Sequence, residues 1–290
     1  MKHWKPAVIA ALWSGALYAA PMPVVASFSI LGDVAQQIGG ERVAVQSLVG
    51  ANQDAHAYNL TSSDIKKIRE ARLVLLNGLG LEKAELQRAV KQSKVASAEA
   101  TAGIKPLAAD EHHHEHGHDH DHDHGEFDPH VWNDPVLMQR YAANVAIALI
   151  KADPAGSRYY QQRFKDYQNV LNQLNNYANQ QFGAVAPAKR KVLTGHDSFA
   201  YLGKRYQVKF ISPQGVSSEA EPSARQIAAI IRQIKAENVK AVFTENIKDG
   251  RMIARIAKET GVKVSGGLYA DALSSGAPAG TYADMFRYNV

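Results

Sequence analysis

The stretch GSRYYQQRFKDYQNVLNQLNNYANQQFGAV, residues 156–185, decides the expected architecture of this chain. Neither glycine nor proline interrupts it between Gly156 and Gly183, and apolar side chains recur every three or four residues, as on one face of an α-helix. These side chains are Tyr160, Phe164, Tyr167, Leu171, Leu174, Ala178 and Phe182. A helix of roughly 27 residues would be about 40 Å long. Because a small domain does not need such a helix, the pattern predicts a rod that joins two lobes.

Apolar, β-branched runs alternate with helical patterns on both sides of this helix. Before it, the predicted strands are PVVASFSIL (23–31), ERVAVQSLVG (41–50) and RLVLLNG (72–78). A helix is predicted at TSSDIKKIREA (61–71), where Thr61 and Asp64 have the spacing of an N-terminal cap. After it, the predicted strands are KRKVLTG, VKFISP, KAVFTEN and VKVSGGLY, and the predicted helices are HDSFAYLGKRY, SARQIAAIIRQIKAENV and RMIARIAKETG. Such alternation favours parallel sheets covered by helices. The predicted fold is therefore α/β, with two lobes, each a mostly parallel central sheet flanked by helices, joined by a single long rigid helix.

The N-terminus predicts export from the cytoplasm. MKHWKP is basic, and AVIAALWSGALYAA (7–20) has about the length of the apolar part of a secretory signal, which is shorter than a membrane span. An uncleaved anchor is the alternative. The expected organisation is a signal peptide at 1–20, an N-terminal lobe at 21–154 with a His-rich loop at 111–125, a linking helix at 155–183 and a C-terminal lobe at 184–290.

Composition excludes several classes of protein. The formal net charge of +5 comes from Lys and Arg residues spread along the chain, so nucleic acid is not expected as a partner. The chain has no cysteine, which excludes disulfides, thiolate metal sites, iron–sulfur clusters and a lipid attached through an N-terminal Cys. We expect a soluble monomer of the periplasm.

The segment EHHHEHGHDHDHDH, residues 111–124, is almost purely His, Asp and Glu and cannot bury apolar surface, which predicts a mobile loop. Its eight histidines are expected to bind metal weakly, for capture or sensing, and to release it below the ordinary His pKa of about 6.5. They are His112, His113, His114, His116, His118, His120, His122 and His124. The alternatives are an acidic solvated loop with incidental histidines, or an engineered tag, which the interleaved acids and the internal position disfavour.

Three histidines outside this loop lie near the ends of predicted elements. His56 follows the second strand, His196 follows KVLTG, and His130 precedes a helix that Asp134 is expected to begin. Ligands of open α/β sheets collect at the carboxyl ends of the strands. With Asp271, which follows the last strand, these side chains could form a four-coordinate Zn²⁺ site between the lobes.

Other roles remain open for each of these residues. A histidine at a strand end commonly caps a helix or forms a hydrogen bond, and Asp is a common loop residue. Glu245, at the end of KAVFTEN, competes with Asp271 as the carboxylate or could lie behind a ligand and bond to it.

Catalytic patterns are missing from the sequence. It has no H-E-x-x-H, G-x-S-x-G, Walker loop or G-x-G-x-x-G, and GHDSF only places Ser, His and Asp side by side along the chain. We therefore do not expect an enzyme. A zinc-dependent hydrolase is kept as an alternative of a different class, and it would require an open coordination position.

The chain carries, in order, the motifs VVASFSILGD, GANQDAHAY, NGLGLE, DPHVWNDP, TGHDSFAYLGKRY, ISPQGVSSEAEPSARQI and LYADALS…TYADMFRYN. These motifs resemble those of the metal-binding receptors of zinc and manganese ABC transporters, the ZnuA-like and TroA-like group. The resemblance covers nearly the whole mature chain. It implies two lobes joined by one rigid helix, and a metal held in the cleft by His56, His130, His196 and Asp271.

The resemblance also implies the cargo and the partners. Manganese receptors of this group tend to have a carboxylate at the third position, so His196 favours the zinc branch, with Zn²⁺ preferred over Mn²⁺. The implied partners are the transmembrane permease subunits of an ABC importer and a periplasmic metallochaperone. A manganese or iron receptor of the same family is the alternative. His130 is expected to be a fixed ligand, and the loop histidines a dispensable collector.

Overall fold

The computed structural model describes residues 20–109 and 127–290. The elements before the long helix are β1 (Met22–Phe28), α1 (Ser29–Gly39), β2 (Val43–Val49), α2 (Ser62–Glu70), β3 (Leu73–Leu76), α3 (Ala84–Ser93), β4 (Ala96–Glu99) and α4 (Leu137–Ala152). The long helix α5 is Ser157–Gly183. After it come β5 (Lys191–Leu193), α6 (Ala200–Tyr206), β6 (Lys209–Ile211), α7 (Ala224–Glu237), β7 (Ala241–Glu245), α8 (Arg251–Thr260), β8 (Gly266–Leu268) and α9 (Tyr282–Asn289).

Each lobe is built on one parallel sheet, which confirms the predicted fold class. Within the described residues the strand orders are β2-β1-β3-β4 and β6-β5-β7-β8, and every pairing is parallel. In both sheets the chain reverses its direction of winding beside the first strand. Loops that leave the carboxyl ends of strands at such a point form a crevice, and both crevices open toward the space between the lobes.

Helix α5 has the predicted length of 27 residues. Its buried side chains include Tyr160, Tyr167 and Leu171, which the spacing had placed on one face. The helix packs on α1 and α4 of the N-terminal lobe and also on α6 and α9, so one apolar core continues from one lobe into the other. The last helix, α9, returns to pack on both α5 and α1.

Sequence patterns placed some element boundaries wrongly. The predicted strand at 23–31 ends at Phe28, and its last three residues begin α1, because a continuously apolar run does not separate a buried strand from a buried helix. The helix predicted from His196 begins only at Ala200. The intervening residues form a loop in which the Asp197 amide donates to the carbonyl of Gly215.

The cap predicted at Thr61 is present, whereas Asp134, predicted to begin α4, lies in a turn before the helix. The hydroxyl of Thr61 accepts from the amide of Asp64, and the Asp64 carboxylate accepts from the amide of Thr61. Asp134 accepts from the amide of Val136 at 2.8 Å, and α4 then begins at Leu137. The proposed signal peptide at 1–20 lies, apart from its last residue, outside the described residues. Within residues 20–109 and 127–290, no helix combines the length and apolarity that crossing a bilayer requires.

Candidate metal centre

His56, His130, His196 and Asp271 meet at one point between the lobes. One donor atom from each lies within 4.8 Å of the donors of the other three. Nε2 of His56 is 3.2 Å from Nε2 of His130, and Nε2 of His196 is 3.0 Å from Oδ2 of Asp271. All four residues are buried: His56 is 7% exposed and the other three 0%. Side chains up to 215 residues apart in the chain therefore enclose a single small space.

The loops that follow strands bring these side chains together. His56 lies in the loop after β2, His196 follows β5 within three residues, and Asp271 follows β8. His130 comes directly before a single 3-10 turn, Val131–Asn133. Two donors come from each lobe, and His56, His196 and Asp271 lie beyond the carboxyl ends of parallel strands, where ligands of such sheets collect.

A carboxylate fixes the ring of His130 from behind. Oδ1 of Asp128 lies 2.6 Å from Nδ1 of the ring and also accepts from the His130 amide at 2.9 Å. A carboxylate beside Nδ1 keeps the proton on that nitrogen, so the lone pair of Nε2 points into the site. The two Nε2 atoms of His56 and His130 face each other at 3.2 Å, which suits two donors to one cation.

His196 has the same kind of support from Glu245. Oε2 of Glu245 lies 2.6 Å from Nδ1 of His196, and Oε1 accepts from the amides of Gly195 and His196. A Cβ at Gly195 would lie only 2.9 Å from Oε2 of Glu245, so glycine is needed for this close approach. Glu245 therefore lies behind a histidine, and Asp271 is the carboxylate that faces the ring nitrogens.

His56 is held through its backbone. Oδ1 of Asp54 accepts from the amide of His56 at 2.9 Å and from that of Ala57 at 3.3 Å. This Asx-type turn sets the direction of the loop after β2, and thereby the direction in which the imidazole projects.

Several buried polar atoms in this space lack a hydrogen-bond partner. They are both carboxylate oxygens of Asp271 and Nε2 of His196. Nε2 of His196 lies 3.0 Å from Oδ2 of Asp271, yet neither atom forms a hydrogen bond of acceptable geometry. Orphaned buried polar atoms are rare and costly, and a bound cation would satisfy all of these.

Burial and charge shift the pKa values of the cluster. Burial lowers the pKa of His56 to about 3, although the Asp271 carboxylate opposes this change. Burial also opposes the charged form of His196, but Glu245 and Asp271 on either side raise its pKa well above the ordinary value. Burial alone would raise the pKa of Asp271, but His196 and His130 hold it well below its usual range. The centre therefore keeps one carboxylate charged and is prepared for positive charge.

The donor spacing suits a small ion. A tetrahedral ion with bonds near 2.0–2.1 Å would have donors about 3.3 Å apart. Nε2 of His130 is 3.4 Å from Oδ1 of Asp271, and Nε2 of His56 is 3.5 Å from Oδ2 of Asp271. These two distances are close to the spacing that one such ion requires.

Sequence patterns identified the four converging residues but not the groups that orient them. Asp128 was overlooked, although its position two residues before His130 is a signal for an Asp that bonds the backbone ahead of it. For Glu245 the sequence left two roles open, that of a metal ligand and that of a residue that bonds to a ligand from behind. The eight loop histidines, His112 to His124, lie outside the described residues.

The chain is similar to known metal-binding proteins. Residues 24–290 match the family model described as "Zinc-uptake complex component A periplasmic". The chain is 27% identical to a manganese ABC transporter substrate-binding lipoprotein, PsaA, of Streptococcus anginosus, over 93% of this chain and 87% of the relative. It is 32% identical to the manganese-binding lipoprotein MntA of Bacillus subtilis, over the same shares. The periplasmic zinc-binding protein TroA of Treponema pallidum has a similar structure, with a TM-score of 0.84 and 26% identity, covering 93% of this chain and 96% of that one.

The fold, the centre and these likenesses define an extracytoplasmic metal-binding receptor of an ABC importer, which works with membrane permease and ATPase subunits. The chain belongs to the periplasmic ZnuA family, zinc-uptake complex component A. Proteins of this class bind and deliver their cargo and are not enzymes, which removes the hydrolase alternative. Both relatives are described as lipoproteins, whereas this chain contains no cysteine. Export through a cleaved signal peptide stays a prediction.

Proposed function

We propose that this protein is a zinc receptor that binds Zn²⁺ through His56, His130, His196 and Asp271 and delivers it to the permease. The observation that carries the proposal is the convergence of three imidazole nitrogens and one carboxylate from four buried residues. Zn²⁺ accepts four such ligands in a closed tetrahedral shell. Imidazole suits Zn²⁺, whereas carboxylate, carbonyl and water oxygens suit Mn²⁺. We expect the receptor to act as a monomer, with a metallochaperone as one source of metal.

Metal competition at fixed pH tests the proposal. The full chain, freed of metal, is loaded with Mn²⁺ and titrated with Zn²⁺ while the released Mn²⁺ is measured. We expect Zn²⁺ to displace Mn²⁺ with one ion bound tightly per chain, because Mn²⁺ stands below Zn²⁺ in affinity for a nitrogen-rich site. Retention of Mn²⁺ against an equal concentration of Zn²⁺ would instead support a manganese receptor, the candidate that the names of both relatives favour.

The carboxylates behind the histidines are expected to matter for affinity. Asp128→Asn and Glu245→Gln remove the charge next to Nδ1, which makes each imidazole a weaker donor and its orientation less certain. Each change should weaken Zn²⁺ binding about 10- to 100-fold. Isothermal titration calorimetry with a competing chelator measures this effect, and Glu237→Gln, at an exposed ion pair with Lys209, is the matched control. Equal affinities for all three variants would contradict the role of these carboxylates.

Zinc binding is expected to release a proton near neutral pH. The raised pKa of metal-free His196 means that its ring carries a proton on each nitrogen there, and Zn²⁺ must displace the proton on Nε2. One released proton makes the apparent affinity rise about tenfold per pH unit. Calorimetry in two buffers of different ionisation enthalpy counts the proton. An apparent Zn²⁺ affinity that does not change between pH 6 and 8 would show that His196 is already neutral in the metal-free protein.

We also propose that the loop histidines form a separate, weaker collector. Ala108 and Phe127 pair in an antiparallel bridge, so the two ends of the loop are adjacent and a shorter connection can join them. Deleting residues 112–124 should therefore leave one tight Zn²⁺ per chain and remove only weak binding. Calorimetric stoichiometry distinguishes the two classes of site, and loss of the tight ion would place it in the loop.

A further inference from the structure

The ring of His56 has weaker support than the rings of the other two histidines. Asp128 and Glu245 bond directly to the rings of His130 and His196, whereas His56 depends on the backbone turn that Asp54 sets. His56 is also the most exposed member of the centre, at 7% against 0% for the others. The path to solvent is therefore shortest on the side of His56.

Packing on one side of the His56 segment, residues 50–61, is incomplete. A cavity of about 280 Å³ lies against this segment. Its lining includes Ala55, Tyr58 and Leu60 from the segment, and Phe28, Leu81 and Leu86 from the N-terminal lobe. The segment runs from the end of β2 to the start of α2 and contains neither helix nor strand. Because packed neighbours are partly lacking here, other contacts must hold the segment in place.

The C-terminal lobe supplies these contacts. The hydroxyl of Ser218, a residue with 0% exposure, donates to Oδ2 of Asp54 at 2.5 Å. The other oxygen of the same carboxylate accepts from the amide of His56. One carboxylate thus joins the backbone of a metal-site histidine to the opposite lobe. The carbonyl of Ser218 in turn accepts from the buried side chain of Gln214, which fixes the serine.

Other bonds surround this contact, among them the bond from the amide of Asn52 to the carbonyl of Leu273 at 2.8 Å. Glu219, next to Ser218, forms an ion pair with Lys83 at 2.7 Å, and Lys83 also donates to Asn59 of the His56 segment. Exposed ion pairs of this kind contribute little by themselves. The part-buried bond from Ser218 to the Asp54 carboxylate is the stronger contact, since hydrogen bonds to carboxylates exceed those between neutral groups.

We propose that the hydrogen bond from Ser218 to Asp54 is a latch between the lobes that holds His56 in the metal centre and sets how fast the metal leaves. Its breakage frees the Asp54 turn to move toward the cavity, and the His56 ring withdraws with it. The metal is then held by only three ligands, and the side of the centre that His56 had covered is open to solvent. The inference rests on the proposed function, because it takes His56 to be a ligand.

Amide hydrogen exchange on the metal-free full chain tests the latch without any metal. In Ser218→Ala, exchange in the His56 segment should be about tenfold faster than in wild type, while exchange in the strands of both lobes is unchanged. Ser217→Ala is the matched control, because the Ser217 hydroxyl accepts from the Glu219 amide within its own loop. Equal exchange in the two variants would overturn the latch.

Metal release provides the second readout. We expect Zn²⁺ to leave Ser218→Ala about tenfold faster than wild type in stopped-flow transfer to a chelator, with a smaller change in the association rate. Asp54→Asn retains an acceptor for the His56 amide and a donor for Ser218, so it should stay closer to wild type than Asp54→Ala. An unchanged release rate in both Ser218→Ala and Asp54→Ala would overturn the proposal.

The two readouts separate the two proposals. If wild-type protein holds no tight Zn²⁺, the proposed function fails, and the exchange measurement still decides whether Ser218 holds the segment. If Zn²⁺ binds tightly but neither exchange nor release responds to Ser218→Ala, the function stands and the latch is wrong.

Discussion

Replacing His196 by alanine is expected to weaken Zn²⁺ binding by roughly a hundred- to a thousandfold. Four-ligand zinc sites have binding free energies of about 10–16 kcal/mol, so one ligand accounts for about 3–4 kcal/mol on average, and each 1.4 kcal/mol is a factor of ten. The change also leaves the buried carboxylate of Glu245 without its ring partner, which adds to the loss. His56→Ala and His130→Ala should have effects of the same order.

A competing chelator and calorimetry measure this loss, and the structure offers an optical signal as well. The chain has three tryptophans, at positions 4, 13 and 132, so a variant without residues 1–19 retains only Trp132. The ring of Trp132 lies 5.1 Å from that of His130, and its fluorescence should therefore respond to metal. His124→Ala, in the His-rich loop, is the matched control and should retain tight binding. A comparable loss in His124→Ala, with none in His196→Ala, would exclude the proposed centre.

Replacing Trp132 by alanine is expected to lower the free energy of unfolding by about 3–5 kcal/mol. Trp132 is among the largest fully buried side chains of the described residues, and its ring packs on Phe28 with centroids 5.0 Å apart. Its Nε1 donates to the carbonyl of Ala270 at 2.8 Å. The variant loses this packing, opens a cavity and leaves the Ala270 carbonyl buried without a partner.

The same change should also weaken Zn²⁺ binding, because Trp132 connects the neighbours of two proposed ligands. It lies two residues after His130, and Ala270 directly precedes Asp271. Urea unfolding followed by far-UV circular dichroism measures stability without depending on tryptophan fluorescence. Trp132→Phe keeps most of the ring and should lose less, and Tyr288→Ala, at a residue 48% exposed, should stay within about 0.5 kcal/mol of wild type. Equal losses in Trp132→Ala and Tyr288→Ala would show that the junction between the lobes does not depend on this side chain.

Sequence patterns predicted the fold well where the physical signal is local. The long helix follows from the apolar spacing within residues 156–185, and the cap at Thr61 follows from its distance to Asp64. The start of α1 was misplaced because Ser29, Ile30 and Leu31 are buried in a helix as fully as they would be in a strand. The short strand β4 was missed because its four residues, Ala96–Glu99, are mostly exposed and carry little apolar pattern.

The sequence by itself determined which side chains could bind a metal, since only imidazole and carboxylate donors are available in a chain without cysteine, and it placed three of them near strand ends. Only the tertiary structure decided that His56, His130, His196 and Asp271 face one another, that Glu245 bonds to the outer nitrogen of His196, and that Ser218 reaches Asp54 across the cleft. The physical reason is the range of the interactions. Periodicity and capping act over a few residues, whereas the direction of a donor atom depends on how the two sheets are held against each other by a shared apolar core.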